Sequence, residues 1–99
     1  MPKIEEDIQS LIDTINPRMY KVIMHNDDYT PMDFVIEVLQ KVFHKSADEA
    51  ENIMWRVHQE GKAVCGVYVK DIAQTKVYQT EQMAKANGFP LLTTMEEEG

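Results

Sequence analysis

Asn26, Asp27 and Asp28 place three side-chain acceptors in a row, directly ahead of a run that reads as helix. Such a run can satisfy its own backbone through an Asx-type turn. It can also present a carbonyl and carboxylates to a cationic ligand. A second group of the same character lies further along, where Met54, Val57 and His58 stand at i, i+3 and i+4 and so share one side of a helix. A neutral imidazole supplies one further acceptor beside an apolar surface. Seven methionines in 99 residues provide adaptable side chains for an apolar pocket or simply for a core. Taken alone, these residues support a small binding module and go no further.

The residues that covalent or metal chemistry requires are missing from the pattern. The sequence has no His-Glu-x-x-His, no Gly-x-Ser-x-Gly and no glycine-rich phosphate loop. His25, His44 and His58 are not at ligand spacing, and Cys65, the single cysteine, falls inside a strand-like segment and reads as a small core residue. No metal or cofactor is expected. A net charge of −7 without a basic patch argues against nucleic acid, and no apolar run approaches a membrane span. With neither a disulfide framework nor a secretory h-region, the expected setting is cytoplasmic, and a monomer is the default.

Elements must bring the two groups together. Residues 1–17 carry Ile4, Ile8, Leu11, Ile12 and Ile15 at helical spacing among acids and amides, then Pro17, and read as a flexible N-terminal extension. Arg18 to Met24 reads as a strand. Thr30 is placed as a helix N-cap with Pro31 at the first helical position, Asp33 as the carboxylate of the first turn, and Tyr29 and Phe34 as a hydrophobic staple. The apolar face Met32, Val35, Ile36, Leu39, Val42 and Phe43 continues that helix, and His44-Lys45 links it to a second capping signature, Ser46-Ala47-Asp48-Glu49. The next helix turns Ala50, Ile53, Met54 and Val57 inward and closes at Gly61.

Ala63 to Val69 alternates as a strand, with Ala63, Cys65, Val67 and Val69 on one face. A third helix starts near Asp71, buries Ile72, Ala73, Val77, Thr80, Met83 and Ala84, and ends at Gly88 and Pro90. Leu91 to Met95 is a last strand, with Glu96 to Glu98 solvated behind it. The expected architecture is a single small α+β domain, β-α-α-β-α-β, with a three-stranded antiparallel sheet packed against three helices. Its body spans 18–96, between the extension and an acidic tail at 97–99.

Met19-Tyr20-Lys21-Val22-Ile23 and Asn26-Asp27-Asp28-Tyr29-Thr30-Pro31-Met32 with Phe34-Val35 resemble the ClpS adaptor family. So do Val57-His58, Gly61-Lys62-Ala63, Cys65-Gly66-Val67, Thr75-Lys76-Val77 and Pro90-Leu91-Leu92, in register from about residue 18 to 95. The resemblance implies an adaptor and not an enzyme. Proteins of this kind bind substrates whose first residue is Leu, Phe, Tyr or Trp (N-degrons) and pass them to the AAA+ unfoldase ClpA, or ClpC, for degradation by ClpP.

Residue by residue, the resemblance implies that Asn26, Asp27 and His58 hold the substrate α-amine. Met32, Val35, Met54, Val57 and Leu91 then line the pocket for the first side chain, with Thr30 at its edge. Met32 matches the gatekeeper that disfavours β-branched first residues. Asp71 and Lys76 match contacts to the N-terminal domain of the unfoldase, with Asp71 shorter than the family's Glu. Asp28 and His25 receive no ligand role, and Asp28 reads as a turn former. The same element order also resembles the C-terminal domain of the ribosomal stalk protein, an interaction module with no N-terminal recognition. A small metal-dependent hydrolase using His and Asp is the remaining alternative.

Overall fold

The computed structural model describes Ile8, Leu11 and residues 15–99. The expected flexible extension over 1–17 therefore lies largely outside the described residues. The elements follow in the order β1 (Met19–His25), α1 (Met32–Lys41), α2 (Ala47–Glu60), β2 (Lys62–Val69), α3 (Lys70–Asn87) and β3 (Leu92–Glu97). This is the expected β-α-α-β-α-β order.

The sheet runs β2-β1-β3, and both pairs are antiparallel. The central strand β1 is the most apolar, with Val22, Ile23 and Met24 all buried. The inward side chains of the sheet, among them Val22, Met24, Ala63 and Cys65, form one core with Val38 and Leu39 of α1, Ala50 and Met54 of α2, and Ala73 and Ala84 of α3.

Strand β2 departs from simple alternation. Val22 pairs with Gly66 while Ile23 pairs with Val64, so Cys65 is the extra residue of a β-bulge. The bulge flips the faces beyond it. Tyr68, expected outward, packs against the core, and Val67, expected inward, is exposed. Gly66 makes room for this, since a Cβ there would sit 2.6 Å from Cζ of the Tyr68 ring. Tyr68 in turn faces Phe43 at 6.5 Å between centroids and lies beneath the Lys76 ammonium at 5.7 Å.

Helix α2 begins and ends as its sequence requires. Ser46 Oγ accepts the Glu49 N–H, and the Glu49 carboxylate accepts the Ser46 N–H, which closes a capping box. The Ser46 hydroxyl and the Ser46 backbone N–H, both beside the Glu49 carboxylate, favour its charged form and hold its pKa below the ordinary value. Gly61 ends the helix with φ 88°, a left-handed position that side chains avoid.

Other expected boundaries shift. Helix α1 stops at Lys41, and a five-residue link replaces the two-residue one. His44 adopts φ 55° within it, and the Lys45 N–H returns to the Leu39 carbonyl at 3.1 Å. Helix α3 begins at Lys70, and its buried face runs through Ala73, Thr80 and Ala84, which leaves Ile72, about 100° around the helix from Ala73, exposed. The acids at the end of the chain are not simply a tail. Strand β3 runs through Glu97, which pairs with Tyr20, and the Glu98 N–H donates to the Met19 carbonyl at 2.8 Å. Their side chains face solvent, so the backbone pairing that β1 needs carries no burial cost for the charge.

Candidate functional site

The stretch between β1 and α1 is organised by one carboxylate. Asp27 Oδ1 accepts the Tyr29 N–H at 2.8 Å and the Thr30 N–H at 2.7 Å, and Oδ2 accepts the Thr30 hydroxyl at 2.8 Å. This is an Asx-type turn. Burial acts to raise the Asp27 pKa, but the bonds from the Thr30 N–H, the Tyr29 N–H and the Thr30 hydroxyl outweigh it and hold the carboxyl below its ordinary value. The turn also displaces the expected cap. Thr30 gives its hydroxyl proton to Asp27, the chain stays extended through Pro31 (φ −65°, ψ 146°), and α1 starts at Met32 without a side-chain cap. Asp33, expected to reach back to the cap, accepts the Phe34 N–H next to it at 2.9 Å. The turn-forming role expected of Asp28 thus belongs to Asp27.

The loop is pinned to the far end of α2. The Asn26 N–H donates to the carbonyl of Gly61 at 2.8 Å, so the left-handed glycine that ends the helix also anchors the start of the acceptor run. His58, one turn before Gly61, is thereby carried to the same side as Asn26.

Between these walls lies a cavity of about 400 Å³, bordered by Asn26, Asp27, Asp28, Tyr29, Thr30, Pro31, Met32, Val35, Met54, Val57 and His58. Its apolar side comes from the first turn of α1 and the last two turns of α2. Val35, Met54 and Val57 are buried, while Met32 stays 40% exposed. The polar side is the loop with His58. Asp28 and His58 take part in none of the side-chain hydrogen bonds found among the described residues, nor does the Asn26 amide. Three acceptor-bearing groups therefore remain uncommitted on one side of an apolar hole.

Of the residues expected from the sequence, Asn26, Asp27, Thr30, Met32, Val35, Met54, Val57 and His58 all border this cavity. Leu91 does not; at 6% exposure it belongs to the core. Asp71 stands elsewhere, beside a second cleft lined by Pro17, Arg18, Tyr20, Val69 and Lys70. Lys76 is half-buried, and its ammonium donates to the Val42 carbonyl at 2.7 Å, just beyond the end of α1. Asp28 also borders the cavity, because the turn uses Asp27 instead, a choice that an acceptor run does not reveal. His25 lies outside the cavity and its Nε2 meets Thr94 Oγ1 at 2.7 Å.

Burial pushes the Cys65 thiol up to about 12, so it does not supply a thiolate. Among the described residues, no three His, Cys, Asp or Glu side chains converge as metal ligands would. No helix among them is long and apolar enough to cross a membrane.

Residues 15–94 match the family of the ATP-dependent Clp protease adaptor protein ClpS. The chain belongs to the ClpS family. It is 51% identical over 94 residues to the ATP-dependent Clp protease adapter protein ClpS of Shewanella pealeana, covering 95% of this chain and 90% of that one. The solved structure of Agrobacterium tumefaciens ClpS2 bound to L-phenylalaninamide superposes on it with a TM-score of 0.81 at 44% identity, covering 84% of this chain and all of that one. Membership of ClpS decides against the stalk-domain alternative and places the chain among adaptors of the Clp protease.

Proposed function

We propose that this ClpS domain recognises proteins by a free N-terminal α-amine followed by Leu, Phe, Tyr or Trp, and delivers them to a ClpA-type unfoldase (or ClpC) for degradation by ClpP. The observation that carries this reading is the pairing of uncommitted acceptors with an apolar hole in one cavity of about 400 Å³, roomy enough for a terminal amine and its side chain. An α-amine, with a pKa of about 7.7–8.0, is a cation with three donors at neutral pH. The Asn26 carbonyl, the Asp28 carboxylate and a neutral His58 nitrogen would match three such donors. Asp27 uses three acceptor positions on its own turn, which leaves about one of a carboxylate's four lone-pair sites for the amine.

Each charge-assisted hydrogen bond contributes roughly 1.5–3 kcal/mol, and burying a Leu or Phe side chain against Val35, Met54 and Val57 adds about 1.5–3 kcal/mol. Ordering costs offset part of that, which leaves micromolar or tighter binding, about −8 kcal/mol. The relative captured with L-phenylalaninamide, a free amine bearing a Phe side chain, supports the same pairing. Met32, which borders the cavity and stays half open to solvent, is the proposed gatekeeper.

For the unfoldase, Asp71 offers an exposed carboxylate in the first turn of α3. Lys76 can join that contact only by exchanging the Val42 carbonyl for an acceptor on the partner.

The decisive experiment is fluorescence anisotropy with a peptide beginning in Leu or Phe and its N-acetylated copy. The free amine is expected to bind, and acetylation to abolish binding. Equal affinity for the two would overturn the amine reading, because an acetamide cannot supply the cation that the acceptors require.

A further inference from the structure

The acceptor His58 sits on the exposed side of α2, and no side-chain hydrogen bond among the described residues orients its ring. A solvent-facing imidazole is free to sample several rotamers, and freezing it on binding costs conformational entropy. One contact opposes that freedom. Trp55, one helical turn earlier, lies against His58 with ring centroids 6.0 Å apart and planes at 75°. Edge-to-face pairs at this separation are favourable beyond the area they bury. Trp55 does not itself border the cavity, and it remains 41% exposed, an unusual state for the one tryptophan of the chain.

We propose that Trp55 is a positioning residue for the amine site: its indole holds the His58 ring toward the cavity, so that the acceptor is in place before a substrate arrives. The inference rests on the amine-binding reading for its consequence in affinity, but the orientation itself belongs to the free protein. Residue 55 shares the i, i+3 ridge with residue 58, so the contact needs no rearrangement of α2. It acts by preorganisation. The pair adds no contact to the substrate and lowers only the cost of ordering His58.

The orientation can be read without any ligand. In the free wild-type protein, the His58 side-chain couplings should report one dominant χ1 rotamer in solution NMR, and its ring protons should be displaced by the indole ring current. Trp55→Ala should average the couplings, and Trp55→Phe should restore one rotamer. Unchanged His58 couplings in Trp55→Ala would overturn the proposal.

Affinity gives the second arm. With a Leu-initiated peptide, Trp55→Ala should weaken binding by roughly 2- to 10-fold, the range expected for losing one aromatic pair, and Trp55→Phe should recover most of it. Weakened binding in Trp55→Phe despite an ordered His58 would also overturn it, because the indole would then be contacting the peptide directly. The amine reading fails separately, if wild-type protein binds the acetylated peptide equally well.

Discussion

Asp27 and Asp28 are chemically identical neighbours with opposite employment. Asp27 is consumed by the backbone of Tyr29 and by Thr30, whereas Asp28 borders the cavity with no side-chain hydrogen bond among the described residues. The two can be separated by substitution. Asp28→Asn should weaken binding of a Leu-initiated peptide at least tenfold, a loss of about 1.5–3 kcal/mol for one charge-assisted bond, with little change in thermal midpoint. Asp27→Asn should lower both stability and affinity, because the turn that places Asn26 and Thr30 loses its charged acceptor. The pH dependence follows from the depressed pKa of Asp27. Its contribution is complete above the unfolded carboxyl value of about 4 and is lost as pH falls through the lower folded value, so the acid limb of stability should be shallower in Asp27→Asn. Calorimetry across that range, beside anisotropy at neutral pH, checks both statements. The sequence made the presence of an acceptor cluster legible, together with His58 and the apolar wall. It could not assign the carboxylates, because the choice depends on the dihedral angles of Asp28 and Tyr29 and not on residue type.

Among the elements, α2 was the most legible, since Ser46, Glu49 and Gly61 carry their instructions locally and the structure uses all three. The limits of α1 and the facing of β2 were not. The Asp27 turn is local, but it competes with the cap that Thr30 would otherwise form and so delays α1. The bulge at Cys65 is set by pairing with β1 and reverses the pattern of β2, so that Tyr68 lies over Gly66, which a strand period of two cannot foresee. The bulge makes a prediction at this scale. Gly66→Ala places a methyl group where the Tyr68 ring lies, and should cost about 1–3 kcal/mol in urea unfolding as the ring is expelled from beside Phe43 and Lys76. Peptide affinity of the folded fraction should be unchanged, because neither Gly66 nor Tyr68 borders the cavity. A parallel loss of affinity would show that β2 and the site are coupled more tightly than their separation implies.

For the molecule as a whole, the bond from the Asn26 N–H to the Gly61 carbonyl has a consequence in time. It ties the end of the first strand to the residue that introduces the second, so it closes only when β1 and β2 pair across the two helices between them. During synthesis, the acceptor run, the apolar wall and His58 have all emerged before β2 is available, yet they have no reason to face one another until it arrives. Long-range closure of this kind comes after local helix formation. A chain ending at Glu60 should therefore contain every residue of the cavity wall and still fail to bind a Leu-initiated peptide at concentrations that saturate the complete domain. Binding by that fragment would mean that the two helices alone can assemble the site. If it stays silent, the proposed capture waits for β2 to pair with β1, and a nascent chain that has released only the two helices is still blind to a peptide.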